Sequence, residues 1–281
     1  MNKKEPEKIP IRDVTVSVVI PFCAEFTPES MLSEAIESVE NQKRVDTELI
    51  VVEDEEQRGP AWARNVGLDR ADTRYVAFLD ADDIWVETKL VDQLQQMDKT
   101  RAGFCVDGET EYSPIEFVGA LLTGETHGLT SAITIDANRV SARFDESLNR
   151  REDHLFMIEA AMQAGVCFRP KTFIDRTHED GLSHYVDSTP EEIDEFYQRV
   201  IDVAPEATQY RQDYYQHAYA FLGRKRHFDS EYRQAVRYFS ESLRYGPNLF
   251  AGGGVAITLL TMLYQYPLQS AQRLRAGGSH D

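Results

Sequence analysis

Three short apolar runs limit what this chain can fold into. Residues 14–21 (VTVSVVIP), 48–52 (ELIVV) and 74–79 (RYVAFL) are close to continuous in β-branched and aromatic side chains. That pattern suits strands buried on both faces of a parallel sheet, because a half-exposed strand would alternate with polar residues. Between the first two, residues 30–42 place Met31, Leu32, Ala35, Ile36 and Val39 on one helical stripe, with Ser30 as the expected N-cap. Between the second and third, Gly59-Pro60 punctuates the chain and residues 61–71 read as a helix. Strand and helix in this alternation imply right-handed crossovers, with functional groups gathered at the carboxyl ends of the strands. Two of those ends are acidic: Glu53-Asp54-Glu55-Glu56 and Asp80-Ala81-Asp82-Asp83.

Further along, residues 88–97 read as a helix, 103–130 as Gly-rich and irregular, 131–140 as a strand, 153–164 as a helix stopped by Gly165, and 166–174 as a last strand. After Pro190 the pattern is helical only, through about Tyr245, and residues 215–245 are spaced like a single tetratricopeptide unit. The chain of 281 residues is long enough for one large α/β domain with a helical appendage. Its net charge of −18 argues against nucleic acid as a partner, since no basic stripe is present. The acid excess and the few lysines resemble proteins of extreme halophiles. Cys23, Cys105 and Cys167 are widely separated and read as free thiols of a reducing cytosol. The charged first 13 residues lack an apolar signal region, so the expected location is cytoplasmic, including the cytoplasmic face of the cell membrane.

Asp80 and Asp82 are alternate residues at the end of a buried strand, where two carboxylates repel one another and resist desolvation. A hard divalent cation that also takes substrate phosphate oxygens would relieve both costs. A solvated acidic turn is the competing reading of the same residues. His127, His154, His184 and His217 have no zinc-like spacing, Trp62 and Trp85 read as core, and Arg150 and Arg151 either meet an anionic acceptor or balance local acid.

SVVIPFCAE, AIESVENQ, ELIVVED, GPAWARNVGLDRA and YVAFLDADDIWVETKL, in this order, resemble the inverting glycosyltransferases of family 2. FDESLNRREDHLFMIEAAMQAG resembles the acceptor-side segment of that family, and DRTHEDGLS its Arg-x-His…Ser stretch. The matches run over about residues 15–185, and several ordered blocks are far more specific than one. The resemblance implies a GT-A, Rossmann-like fold: a mostly parallel central sheet flanked by helices, followed here by a C-terminal helical appendage. The implied divisions are a polar lead (1–13), a GT-A domain (14–189) with a nucleotide-sugar half (14–100) and an acceptor half (101–189), and the appendage (190–281).

Carried over position by position, the resemblance implies that Pro21 and Glu25 border the nucleotide and that Asp54 hydrogen-bonds its base, with Glu53 in place of the family's first acid. Arg64 would lie near the nucleotide and its phosphates. Asp80 would contact the ribose or a metal, Asp82 the metal, and His178 the metal or a phosphate. Asp153 would be the general base. The implied cofactor is Mn²⁺ or Mg²⁺, the donor a UDP- or GDP-sugar, and the acceptor a glycan or a polyprenyl- or dolichyl-phosphate-linked glycan. Two departures stand out: Glu55-Glu56 replaces the family's Gly-Ser, and the usual helix and strand before Ala-Arg-Asn are nearly absent. A nucleotidyltransferase and a catalytically silent scaffold are the alternatives; the first would need a Gly-rich basic loop after the first strand, which PFCAEFTPES is not. Residues 245–272 contain no charge, yet Gly252-Gly253-Gly254, Gln265 and Pro267 argue against a span over 249–268. A helix packed on the appendage, or lying on a membrane through 245–275 with Arg273 and Arg275 near headgroups, is the expected outcome.

Overall fold

The computed structural model describes residues 14–126, 128–148, 150–170, 173–174 and 189–276. The three apolar runs become β1 (Thr15–Phe22), β2 (Asp46–Glu53) and β3 (Tyr75–Phe78), with α1 (Glu29–Glu40) and α2 (Pro60–Arg70) as the crossovers. β1 pairs in parallel with both β2 and β3. Val16, Val18, Val19 and Ile20 are fully buried, as a strand covered on both faces requires. The expected N-cap at Ser30 is displaced: α1 begins at Glu29 behind Pro28, whose fixed φ of −61° suits a helix entry.

A two-residue strand, β4 (Ile84–Trp85), follows the acidic loop and leads into α3 (Lys89–Thr100). The stretch read as irregular contains β5 (Phe104–Asp107) and α4 (Pro114–Thr123). The long strand expected over 131–140 is only β6 (Ile133–Asp136), because residues 130–132 form a 3-10 turn. After α5 (Glu152–Ala164), the expected last strand splits at Pro170 into β7 (Val166–Arg169) and β8 (Phe173–Ile174). Proline offers no N–H to continue a ladder. β8 pairs with β4 in a small antiparallel ribbon.

The main sheet has the order β2-β1-β3-β6-β5-β7 and is parallel apart from β6, which runs against both neighbours. The chain passes from β2 to α2 in a loop of six residues, which leaves β2 at the sheet edge. Behind the strand ends, Phe144 and Phe156 stack at 4.1 Å, and Phe78 meets both edge-on at 5.3 and 5.5 Å. The three cysteines are free.

α2 lies on the sheet through Gly67. A Cβ there would sit 2.2 Å from Cγ1 of Val19, a side chain with no solvent to move into. Gly67→Ala is therefore expected to destabilise the domain by about 1–3 kcal/mol, the usual cost of overpacking. Urea denaturation checks this, and an unchanged midpoint would mean that α2 slides freely on β1.

The chain divides into two compact units: one made of residues 1–121, 126–187 and 199–205, the other of 122–125, 188–198 and 206–281. The first holds the sheet. The second is helical and contains the first turns of α6 (Pro190–Val203), then α7 (Arg211–Phe228), α8 (Tyr232–Arg244) and α9 (Leu249–Ala276). α7 and α8 are joined by three residues and pack together, and α9 packs on both. Phe239 of α8 fills the space left by two glycines, where a Cβ on Gly223 of α7 or on Gly254 of α9 would come within 2.6 Å of its ring. Tyr214 anchors the start of α6 by donating its hydroxyl to the Ile193 carbonyl at 2.9 Å. Among the described residues, no helix is long and apolar enough to cross a membrane.

Candidate active site

Because β1, β2 and β3 are parallel, their carboxyl ends open on the same side of the sheet, and a cleft of about 480 Å³ lies there. Pro21, Phe22 and Cys23 line it from the end of β1, Asp54, Gln57 and Gly59 from the loop after β2, and Pro60, Ala63 and Arg64 from α2. Asp80, Ala81 and Asp82 line it from the loop after β3, and Glu152 from the first turn of α5.

Asp54 is 5% exposed, and both of its carboxylate oxygens accept backbone N–H groups. Oδ1 accepts from Arg58 at 2.9 Å and Oδ2 from Gly59 at 2.7 Å. Gly59 has φ +102°, a conformation that favours glycine and turns the chain into Pro60 at the helix start. Asp54 therefore staples the short loop, with lone pairs left for a ligand. Arg58 folds back over the half-buried Trp62, which is not the core residue its sequence suggests.

Arg64 is 6% exposed and stands at the centre of the charges. Its Nη2 donates to Asp80 at 2.8 Å and to the Thr130 hydroxyl at 3.1 Å, and its Nη1 donates to Glu152 at 3.2 Å. The guanidinium lies 5.4 Å from the Phe144 ring, above the aromatic cluster. Burial alone would lower its pKa, but Asp80 and Glu152 outweigh that and raise it, so the cation is fixed. Its Nε N–H is buried without a partner. Thr130 in turn donates to the Asp80 carboxylate, and the Ser131 hydroxyl accepts from the Asp80 N–H at 3.0 Å. Trp85, buried beside the same turn, donates its indole N–H to the Ser131 carbonyl at 2.9 Å.

Glu152 and Asp153 begin α5, where the helix dipole favours negative charge. Their surroundings push them apart. Burial raises the Glu152 carboxyl, and the neighbouring Asp153 charge adds to this against the pull of Arg64. Burial also opposes ionisation of Asp153. The charge and hydrogen bonds of His154, together with Arg64, more than offset it and hold Asp153 below the usual carboxylate range. Asp153 accepts from the His154 backbone N–H at 2.7 Å and lies 2.9 Å from His154 Nδ1.

Of the residues singled out in the sequence, Pro21, Asp54, Arg64, Asp80 and Asp82 line one cleft. Asp153 adjoins it through Glu152 and the field it shares with Arg64. Glu25 and Glu53 are exposed and are not among the lining residues; Glu25 accepts a hydrogen bond from Gln57, which is. His178, His127 and His184 lie outside the described residues. Sequence reasoning missed Glu152 as a cleft residue, and Thr130 and Asn65 as supports. Asn65 exchanges hydrogen bonds with the backbone of Phe144 at 2.8 and 3.0 Å and so pins the ring beneath Arg64. Its place beside Arg64 in Ala-Arg-Asn was an available signal; Thr130 had none.

The donor set fits a divalent cation of the hard kind. Four carboxylates line the cleft against the single guanidinium of Arg64, so a diphosphate entering alone meets net repulsion. Among the described residues, no three metal-binding groups form a cage of their own. Mg²⁺ and Mn²⁺ sites of this type use one or two carboxylates and take further oxygens from substrate phosphates.

The family model described as Glycosyl transferase family 2 matches residues 54–168. An uncharacterized glycosyltransferase of Rickettsia bellii is 30% identical over 141 residues, 42% of this chain and 20% of its own length. The UDP-Glc:alpha-D-GlcNAc-diphosphoundecaprenol beta-1,3-glucosyltransferase WfgD of Escherichia coli is 31% identical over 115 residues, 33% of this chain and 44% of its own. The chain thus spans less than half the length of these curated relatives. Among solved structures, S. aureus TarS 1-349 in complex with UDP-GlcNAc superposes with a TM-score of 0.56 at 15% identity, over 91% of this chain and 92% of that one. The fold, of the GT-A kind, is shared at that distance, and residues 54–168, which hold most of the acidic cleft and α5, are similar to glycosyl transferase family 2.

Proposed function

We propose that the chain is an inverting glycosyltransferase that moves a sugar from a nucleotide-diphosphate sugar to a glycan or lipid-linked glycan. The observation that carries this reading is the convergence of Asp54, Asp80, Asp82 and Glu152 around the buried Arg64 at the carboxyl ends of three parallel strands. The names of the relatives favour a UDP-sugar over a GDP-sugar as donor, and an undecaprenyl-diphosphate-linked saccharide as acceptor.

In this mechanism Pro21 and the loop stapled by Asp54 border the nucleotide. Asp80 and Asp82 would hold Mn²⁺ or Mg²⁺, which when bound offsets the charge developing on the leaving diphosphate. The Arg64 guanidinium, fixed by Asp80 and Glu152, sets a permanent positive charge beside the phosphates. Thr130 and Glu152 keep the guanidinium aimed while the sugar is transferred. Asp153, ionised at neutral pH, takes the proton of the acceptor hydroxyl as that oxygen attacks the anomeric carbon. A single displacement with one base inverts the configuration. The short loop after β2 is the feature that would suit a silent scaffold, but the stapled loop still leaves an open cleft.

Calorimetric titration with UDP and GDP, with and without Mn²⁺, tests the reading. The expected result is metal-dependent binding of UDP, weakened about tenfold or more in Asp82→Ala at an unchanged melting temperature. Folded protein that binds neither nucleotide would overturn it in favour of the scaffold.

A further inference from the structure

The helical unit carries a face that water alone does not explain. On α9, Ala251 and Thr258 turn inward with the partly buried Val255, while Leu249, Ile257, Leu259 and Leu260 point outward; Leu249 is 97% exposed and Leu260 63%. From Tyr245 to Gln272 the chain has no charged residue, so this stretch of α9 offers solvent no charge. α7 adds Phe221 and Phe228, two turns apart on one stripe, and Phe228 is 72% exposed. His227 Nδ1 lies 2.9 Å from the Thr258 hydroxyl, which brings the end of α7, and Phe228 with it, beside the Ile257–Leu260 turn of α9. Exposed apolar side chains grouped in this way mark an interaction surface.

Charge identifies the occupant. Residues 211–281 hold nine Lys and Arg against five Asp and Glu, a net of +4, within a chain of net charge −18. Arg224 sits between Phe221 and Phe228 on the α7 stripe, its guanidinium 5.7 Å from the Phe228 ring. An apolar face that carries Arg224, in a segment of net positive charge, matches a bilayer with anionic headgroups, in which rings and aliphatic chains enter the acyl boundary while Arg224 stays at headgroup level. A second copy of the chain would bring the same cationic face against itself.

We propose that the α7–α9 face of the helical unit binds the surface of an anionic lipid bilayer. The inference does not rest on the transferase reading, because neither donor nor acceptor takes part in the contact.

Co-sedimentation of the full chain with vesicles tests it. The protein is expected to sediment with phosphatidylglycerol–phosphatidylcholine vesicles and about tenfold less with phosphatidylcholine alone. The double variant Phe228→Ser, Leu260→Ser should lose binding to both kinds. Arg224→Glu should lose only the preference for phosphatidylglycerol. All three side chains are exposed, so circular dichroism and melting should be unchanged. Folded protein that sediments with neither vesicle, or variants that bind as the parent does, would overturn the proposal. So would a dimer in size-exclusion chromatography that the serine variant splits, since the face would then belong to a second copy.

Discussion

Asp153→Asn is expected to lower kcat by about 10²–10⁴-fold, the usual contribution of a general base, and to leave UDP binding nearly unchanged. Asn has the shape of Asp and can still accept from the His154 N–H, so what disappears is the charge and the capacity to take a proton. The melting temperature should also change little, because losing the Asp153 charge relieves the neighbouring Glu152, whose ionisation that charge opposes. Asp153, held below its unfolded value, adds stability at neutral pH that is lost as pH falls through its folded value. Glu152, held above its unfolded value, favours the folded state only at low pH, and that contribution is gone once pH has risen through its folded value. Glu152→Gln is the informative companion. It removes one of the two carboxylate anchors of Arg64 and should weaken donor binding more than it slows turnover. Asp153→Asn with parental kcat would end the assignment, and a loss of turnover confined to Glu152→Gln would move the base to that residue.

The strands that carry this site were readable because burial on both faces leaves a continuous apolar run, and β1, β2 and β3 each have one. β5 has four residues between Gly103 and Gly108, too few to show a period. α4 escaped for another reason. Phe117, Val118, Ala120, Leu121 and Leu122 are all buried, so the helix has no polar face to reveal its turn. For the site, position at a strand end marked the two acidic clusters, and of these Asp54, which the resemblance picked out of its cluster, Asp80 and Asp82 share the cleft. The arrangement around Arg64 could not be read the same way. Its partners Thr130 and Glu152 lie 66 and 88 residues away, and no local pattern records such a contact. The shortened segment after β2 was legible as a deletion, but not what replaced it, a carboxylate spent on two backbone N–H groups of its own loop.

Lys89→Met is expected to stabilise the protein at neutral pH by up to about 3 kcal/mol, with a gain that shrinks as pH rises. Lys89 has no solvent exposure. Its ammonium lies 4.0 Å from the centre of the Trp85 ring and 3.4 Å from the Ile133 carbonyl, a long contact for a hydrogen bond. Burial lowers its pKa from 10.5 to about 8, against smaller opposing contributions from Asp107 and Cys105. Below pH 8 the lysine is charged in both states, and the folded state bears the full desolvation cost. Between about 8 and 10.5 the unfolded chain holds one proton more than the folded one, so this group makes stability rise with pH. The tyrosines work the other way: burial pushes Tyr219 up to about 12 and Tyr215 higher, so their contribution falls once pH passes the ordinary tyrosine value of 10. The clean window is therefore pH 8 to 10, read as the difference in melting temperature between parent and variant. Methionine fills a similar volume with no charge to bury, and Gln93 still donates to Asp107 at 2.8 Å, so the neighbouring polar network survives the change. A variant no more stable than the parent at pH 7, or a difference that stays constant up to pH 10, would mean that the ammonium is not desolvated where it sits.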